Sequence, residues 1–219
     1  MEILEAAVVE ETLKFILVVV VSYLLGSTPT AYLIARHKGV NIFEVGSGNM
    51  GATNVIRAMG FWWGIAVWIF DSLKGIVAIV LSNLIVPDHA AAVTAISATA
   101  AVVGHNWSLF ASLVTGTLRG GKGAAIWFGT MLVMAPIQVV VGMSVLGGFI
   151  IALTRYVSLA VLAMFGLSTL WMLVLIGQRQ LPTEYTVYAL LVTAMMLYRF
   201  RENIQRLLAG TERRLGERI

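Results

Sequence analysis

Charge in this chain is confined to short clusters, and the sequence between them is apolar for long stretches. No Asp, Glu, Lys or Arg stands in 15–35, in 123–154 or in 156–178. A helix rises 1.5 Å per residue, so an apolar run of roughly 20 residues matches the hydrocarbon thickness of a bilayer. Of 219 residues 59% are hydrophobic and 12% charged, about half the charge of an ordinary soluble domain. The sequence therefore predicts an all-α polytopic membrane protein, one integral-membrane domain over 1–219. Spans are expected at about 13–35, 61–84, 91–112, 124–142, 145–154, 157–177 and 184–199. The stretch 124–154 is too long for one span, and Gly142, Gly147 and Gly148 suggest where it breaks. Residues 1–11 carry Glu2, Glu5, Glu10 and Glu11 without a base, the wrong sign for a secretory signal, so the first span reads as retained.

Charge placement sets the expected topology. With seven spans, the loops at 36–57, 113–123 and 155 and the tail share one side, which then holds twelve of the fifteen Lys and Arg. The positive-inside rule makes that side cytoplasmic and the amino end external, in a cell (inner) membrane. The cations lie at span ends, so the net charge of +4 is no sign of nucleic-acid binding. The tail over 199–219 carries six arginines with Ile204, Leu207 and Leu208 on one stripe, and reads as an interfacial helix. There is no cysteine, hence no thiolate nucleophile, and His37, His89 and His105 have no second ligand at helical spacing, which argues against a metal site. No cofactor is implied.

The polar chemistry is concentrated in two glycine-rich loops. In Val45–Arg57, Gly46, Gly48 and Gly51 allow backbone N–H groups to turn inward, Ser47, Asn49, Thr53 and Asn54 offer neutral donors, and Arg57 adds a cationic fork. That combination suits a phosphate. The three glycines also spell a dinucleotide-binding fingerprint, but an apolar helix precedes them in place of a strand. Residues 116–123 give a second loop, with Gly120, Gly121, Lys122 and Gly123 opening a helix, where free N–H groups favour an anion. Gly123 stands where a nucleotide-binding P-loop needs Ser or Thr. Asp71 and Lys74, three residues apart inside a span, can pair on one helix face; Lys74 is either locked in that pair or reaches an anionic substrate. His105 lies in Gly104-His105-Asn106-Trp107 at a span end, as a packed polar cluster or with a direct role.

Two phosphate-type loops on one face of a helical bundle suggest an enzyme for two phosphorylated substrates, one of them acylated. The ordered motifs Gly46-Ser-Gly-Asn-x-Gly-Ala-Thr-Asn-x-x-Arg57, Asp71-x-x-Lys-Gly75, Gly104-His-Asn-Trp107, Gly120-Gly-Lys-Gly123 and Glu202-Asn-Ile-x-Arg-Leu207 resemble those of the acyl-phosphate-dependent glycerol-3-phosphate acyltransferases, the PlsY family, over essentially the whole chain. The resemblance implies transfer of a fatty acyl group from acyl phosphate to sn-glycerol 3-phosphate. The products would be 1-acyl-glycerol 3-phosphate and inorganic phosphate, on seven helices with a cytoplasmic active site. It implies that Ser47 and Arg57 hold glycerol 3-phosphate, with Thr53 and Asn54 in the phosphate-cradling part of that loop. Lys122 is then the basic residue of the second loop, Asn203 the tail asparagine, and the route is substrate-assisted without an assigned base. Phe200 stands where the family has histidine, Arg119 where it has lysine, and the 111–119 connection is longer than usual. The competing reading is a small transporter of a phosphorylated metabolite, whose site would be expected near the midplane.

Overall fold

The computed structural model describes residues 1–217; Arg218, counted in the basic tail, lies outside the described residues. Among them the chain forms eleven α-helices and no strand. Acidic Glu2 and Glu5 suit the N-terminal end of a helix dipole, and a Glu10–Lys14 pair at 2.6 Å supports the next turns. Helix α1 accordingly starts at Glu2 and runs to Ser27, well before the expected start near 13. Pro29 has no N–H and disfavours helical geometry in the preceding residue, so the chain breaks there and resumes as α2 (Thr30–His37). After the first glycine-rich loop come α3 (Ala52–Met59) and α4 (Phe61–Ile85). A 3-10 turn at Pro87–His89 leads to α5 (Ala90–Asn106) and the short α6 (Leu109–Thr115), two helices where one span was expected over about 91–112. The second loop opens α7 (Ala124–Met134), followed by α8 (Ile137–Thr154), α9 (Val157–Gly177), α10 (Tyr185–Arg199) and α11 (Arg201–Leu208).

One boundary needs correction. The break in 124–154 falls at Ala135-Pro136 and not at Gly142 or beyond, and α8 runs unbroken through all three glycines. A glycine inside a helix costs about 1 kcal/mol, which tertiary packing offsets; a proline costs about 3 and removes a hydrogen bond outright.

Small residues hold the bundle together. Gly26 on α1 and Gly104 on α5 have no room for a Cβ: it would strike the backbone of Ala101 and of Tyr23 respectively. Close backbone approach of this kind is how helices pack where lipid removes the hydrophobic drive. Interhelical hydroxyl bonds add to it, Ser22 to Ser82 at 3.1 Å and Ser72 to the Ala125 carbonyl at 2.9 Å. Helices α4, α8 and α9 are each long and apolar enough to cross a membrane, and large apolar side chains such as Phe70, Leu84, Val145, Phe149 and Leu170 face outward.

Candidate active site

Asn54 shapes the first loop. It is buried, and its amide nitrogen donates to the carbonyls of Val45 and Asn49 (3.0 Å each) and Ile42 (3.3 Å), while Oδ1 accepts from the Ser47 N–H at 2.9 Å. Every polar atom of a residue expected to cradle phosphate is therefore spent on the loop itself. Gly46 and Gly48, both at φ 62, make the turns that this arrangement requires. Asn54 still lines a cavity, but the free polar groups there come from other residues. The carboxamide oxygen of Asn49 and Nε of Arg57 are withdrawn from water without a partner, and both residues line that cavity together with Ser47 and Thr53. Burial lowers the Arg57 pKa below its usual value, with nearby Arg213 as the next cause.

The second loop divides its labour. Gly120 and Gly121 are buried against the end of α5: the Gly121 N–H donates to the His105 carbonyl at 2.8 Å, and a Cβ on Gly120 would strike the Asn106 carbonyl. Their own carbonyls accept from Arg199, Nη2 reaching Gly121 at 2.7 Å and Gly120 at 3.2 Å. These two glycines serve close packing and do not face the cavity. Lys122 and Gly123 do, immediately before the first residue of α7. The Lys122 ammonium donates to Oδ1 of Asn203 and lies 5.3 Å from the centre of the Phe200 ring. Burial and, secondly, the charge of Arg206 bring its pKa down to about 8.

The third wall was illegible in the sequence. Beyond α11 the tail is no longer a helix: residues 209–217 fold back as a strap across the α8–α9 turn, with the Leu215 N–H donating to the Arg155 carbonyl (2.7 Å) and the Arg155 guanidinium to the Leu215 carbonyl (2.6 Å). Glu212 anchors it, accepting from Asn203 Nδ2 (2.6 Å), Ser158 Oγ (2.9 Å) and Arg206 Nε (2.8 Å). Burial pushes this carboxyl up, but the three hydrogen bonds and the Arg206 charge outweigh it and hold it below its usual value. Asn203 thus joins Lys122 on one side to Glu212 on the other.

At the floor, Asp71 and His105 line the cavity, with His105 Nδ1 3.9 Å from Asp71 Oδ1. Lys74 does not line it. Its ammonium sits behind Asp71 at 2.9 Å, donates to the Thr28 carbonyl at 3.0 Å, and faces a separate apolar groove between α1, α2 and α4. The long 111–119 connection folds as α6 and its exit turn, with no residue at the cavity, and Arg119 lies over the Phe43 ring at 5.8 Å.

The cavity has a volume of about 600 Å³. Its polar end carries Ser47, Asn49, Thr53, Arg57, Lys122 and Asn203; its other end runs between α8 and α9 past Phe128, Ile151, Val161 and Met164. On α8 the lining residues Ser144, Gly147, Gly148 and Ile151 recur at one helical face, and nothing stands within 4 Å of where a Cβ on Gly148 would project. Such a lining suits an amphiphile, anionic at one end and apolar at the other.

Residues 16–210 match the family model described as glycerol-3-phosphate acyltransferase. The chain is 39% identical over 204 residues to the glycerol-3-phosphate acyltransferase of Halalkalibacterium halodurans, covering 92% of this chain and 96% of the relative. It is 40% identical over 213 residues to glycerol-3-phosphate acyltransferase 1 of Deinococcus radiodurans, covering 95% and 99%. Among solved structures it is similar to PlsY, an integral membrane glycerol 3-phosphate acyltransferase, in its glycerol 3-phosphate form, with a TM-score of 0.81 and 34% identity over 92% of this chain and 96% of that one.

Proposed function

This chain belongs to the glycerol-3-phosphate acyltransferase family, and from that membership we propose how its cavity carries out the reaction. The protein is an all-helical membrane acyltransferase of phospholipid synthesis. The donor we propose is a long-chain acyl phosphate and the acceptor glycerol 3-phosphate. The observation that carries this reading is the continuity of one cavity, from a polar end bearing Arg57 and Lys122 into an apolar cleft between α8 and α9.

Arg57 would hold the acceptor phosphate through its planar fork, with Ser47, Asn49 and Thr53 around it. Lys122, held in place by Asn203, would face the donor phosphate. Two phosphates repel one another strongly where water is scarce, so cations on both sides lower the cost of bringing them together. The acceptor hydroxyl then attacks the acyl carbon, a carbon–oxygen ester bond forms, the anhydride bond to phosphate breaks, and the hydroxyl proton leaves on the departing phosphate. Acyl phosphate is already activated, so alignment and stabilisation of that phosphate supply the catalysis, with no covalent enzyme intermediate. The positive-inside distribution supports a cytoplasmic site and seven crossings of the cell membrane.

The test is a side-by-side assay of the purified protein with palmitoyl phosphate, palmitoyl-CoA and palmitoyl-acyl carrier protein, each with labelled glycerol 3-phosphate. Acylation from the acyl phosphate alone, with inorganic phosphate released mole for mole, is expected. Robust use of the thioesters would remove the donor reading.

A further inference from the structure

The strap formed by residues 209–217 has a cation at its centre that the reaction as described does not use. Glu212 is only 9% exposed and is held by three side chains. Arg214 stacks its guanidinium 5.5 Å from the centre of the Tyr156 ring, outside the cavity. Between two residues so fixed, the backbone has little freedom, and the side chain of Arg213 is delivered to the cavity wall that it shares with Arg57. Among the described residues no ion pair or side-chain hydrogen bond holds Arg213. The family-model match ends at residue 210, before the strap's charged residues begin.

Bringing a second guanidinium towards a half-buried Arg57 is unfavourable in an empty site, because like charges repel more strongly as water is withdrawn. The arrangement becomes favourable when an anion lies between them, since each guanidinium can then donate to it. Position decides which anion. Of the four cations that line the cavity, Lys122 is engaged by Asn203 and Arg206 by Glu212, whereas among the described residues Arg57 and Arg213 have no side-chain partner and are left for a second anion; the Arg213 charge also lowers the Arg57 pKa, second to burial. We propose that Arg213, carried on a strap anchored by Glu212, is a substrate-binding residue that closes over the acceptor's phosphate opposite Arg57.

The inference rests on the acceptor reading above, and its test is chosen to separate the two. Equilibrium binding of labelled glycerol 3-phosphate to the purified full-length protein needs no donor and no turnover. Arg213→Ala should weaken that binding about tenfold to hundredfold, the range for one charge-assisted hydrogen-bonding group. Arg213→Lys, which keeps charge without the fork, should fall between it and wild type. Arg214→Ala on the same strap loosens one end of it but removes no charge from the cavity, so it should weaken binding much less than Arg213→Ala does, and the melting temperature of all three should stay near that of wild type. In turnover, Arg213→Ala should raise KM for glycerol 3-phosphate with little change in kcat or in KM for acyl phosphate. Equal binding by Arg213→Ala and wild type would overturn the proposal while leaving the acceptor reading intact. Equal losses in Arg213→Ala and Arg214→Ala would overturn it too, because the strap would then matter only as a fold element. A wild-type protein that does not bind glycerol 3-phosphate would overturn the acceptor reading itself.

Discussion

Arg57 and Lys122 are two of the cations that line the cavity, and their surroundings predict different failures. Arg57 presents a planar fork whose Nε has no protein partner. Arg57→Lys keeps the charge and loses the fork, so acceptor use should drop by about 2–5 kcal/mol of transition-state stabilisation, roughly 30-fold to several thousand-fold in kcat/KM. Lys122→Ala should cost a similar amount but act chiefly on acyl phosphate; equal effects of both variants on both substrates would mean a single shared phosphate site. Lys122 should also set a pH limit. Its pKa lies near 8 because burial disfavours the ammonium, and only the ammonium form attracts phosphate. For the free enzyme, kcat/KM for the donor should therefore fall as pH rises through about 8, a limb that Lys122→Arg should move well upward. A donor kcat/KM flat to pH 9 would detach this lysine from donor binding. The residue scale is also where sequence reading was least complete. Asn54 and Lys122 are both polar residues in glycine-rich loops that reach the cavity, and nothing local distinguishes the one whose polar atoms knit its own loop from the one that offers a charge. Only the three carbonyls that converge on Asn54 in space make that difference.

At the scale of the element, α8 carries the sharpest consequence. Its glycines were read as a break, yet Pro136 breaks the chain and the glycines remain inside a helix, where Gly147 and Gly148 form part of the cleft wall. Gly147 packs tightly on Met164, but a side chain on Gly148 would project into open space. Gly148→Leu should thus be tolerated by the fold and fill part of the apolar end. Each methylene displaced from the cleft is worth about 0.8 kcal/mol, so kcat/KM for palmitoyl phosphate should fall about tenfold or more relative to octanoyl phosphate. A uniform loss across chain lengths would place the acyl chain elsewhere. Helices bounded by strong local punctuation were legible: α9 occupies the interval 157–177, and α4 and α10 fall within a residue of the expected intervals. What could not be read was tertiary. The tail from 199 carries a basic, amphipathic composition that suits an interfacial helix, but its helix ends at Leu208, and beyond it Glu212 is drawn to Asn203, Ser158 and Arg206.

Across the whole molecule, the site draws the first loop, the start of α7, the α8–α9 turn, α11 and the strap to one end of the bundle. The amino terminus lies far from them, because α1 spans 26 residues, a helix about 39 Å long, and its last turn packs on α5 near the Gly104 segment that abuts the second loop. That geometry and the charge distribution make one joint claim about orientation. Of the fourteen Lys and Arg among the described residues, eleven stand in the segments 36–57, 119–122, 155 and 199–214, and the positive-inside rule would retain the side that carries them in the cytoplasm. The chain has no cysteine, so single cysteines can report sidedness without background. A cysteine at Ser47 or at Thr211 should react with an impermeant thiol reagent only from the cytoplasmic side, and one at Glu5 only from outside. The two arms test different things. Ser47 and Thr211 must agree with each other whichever way the bundle is inserted, since Arg57 and Arg213 line the same cavity; disagreement would dismantle the strap. Glu5 must oppose them if the number of crossings between it and the first loop is odd, and labelling of all three from one side would remove the seven-span arrangement while leaving the cavity intact.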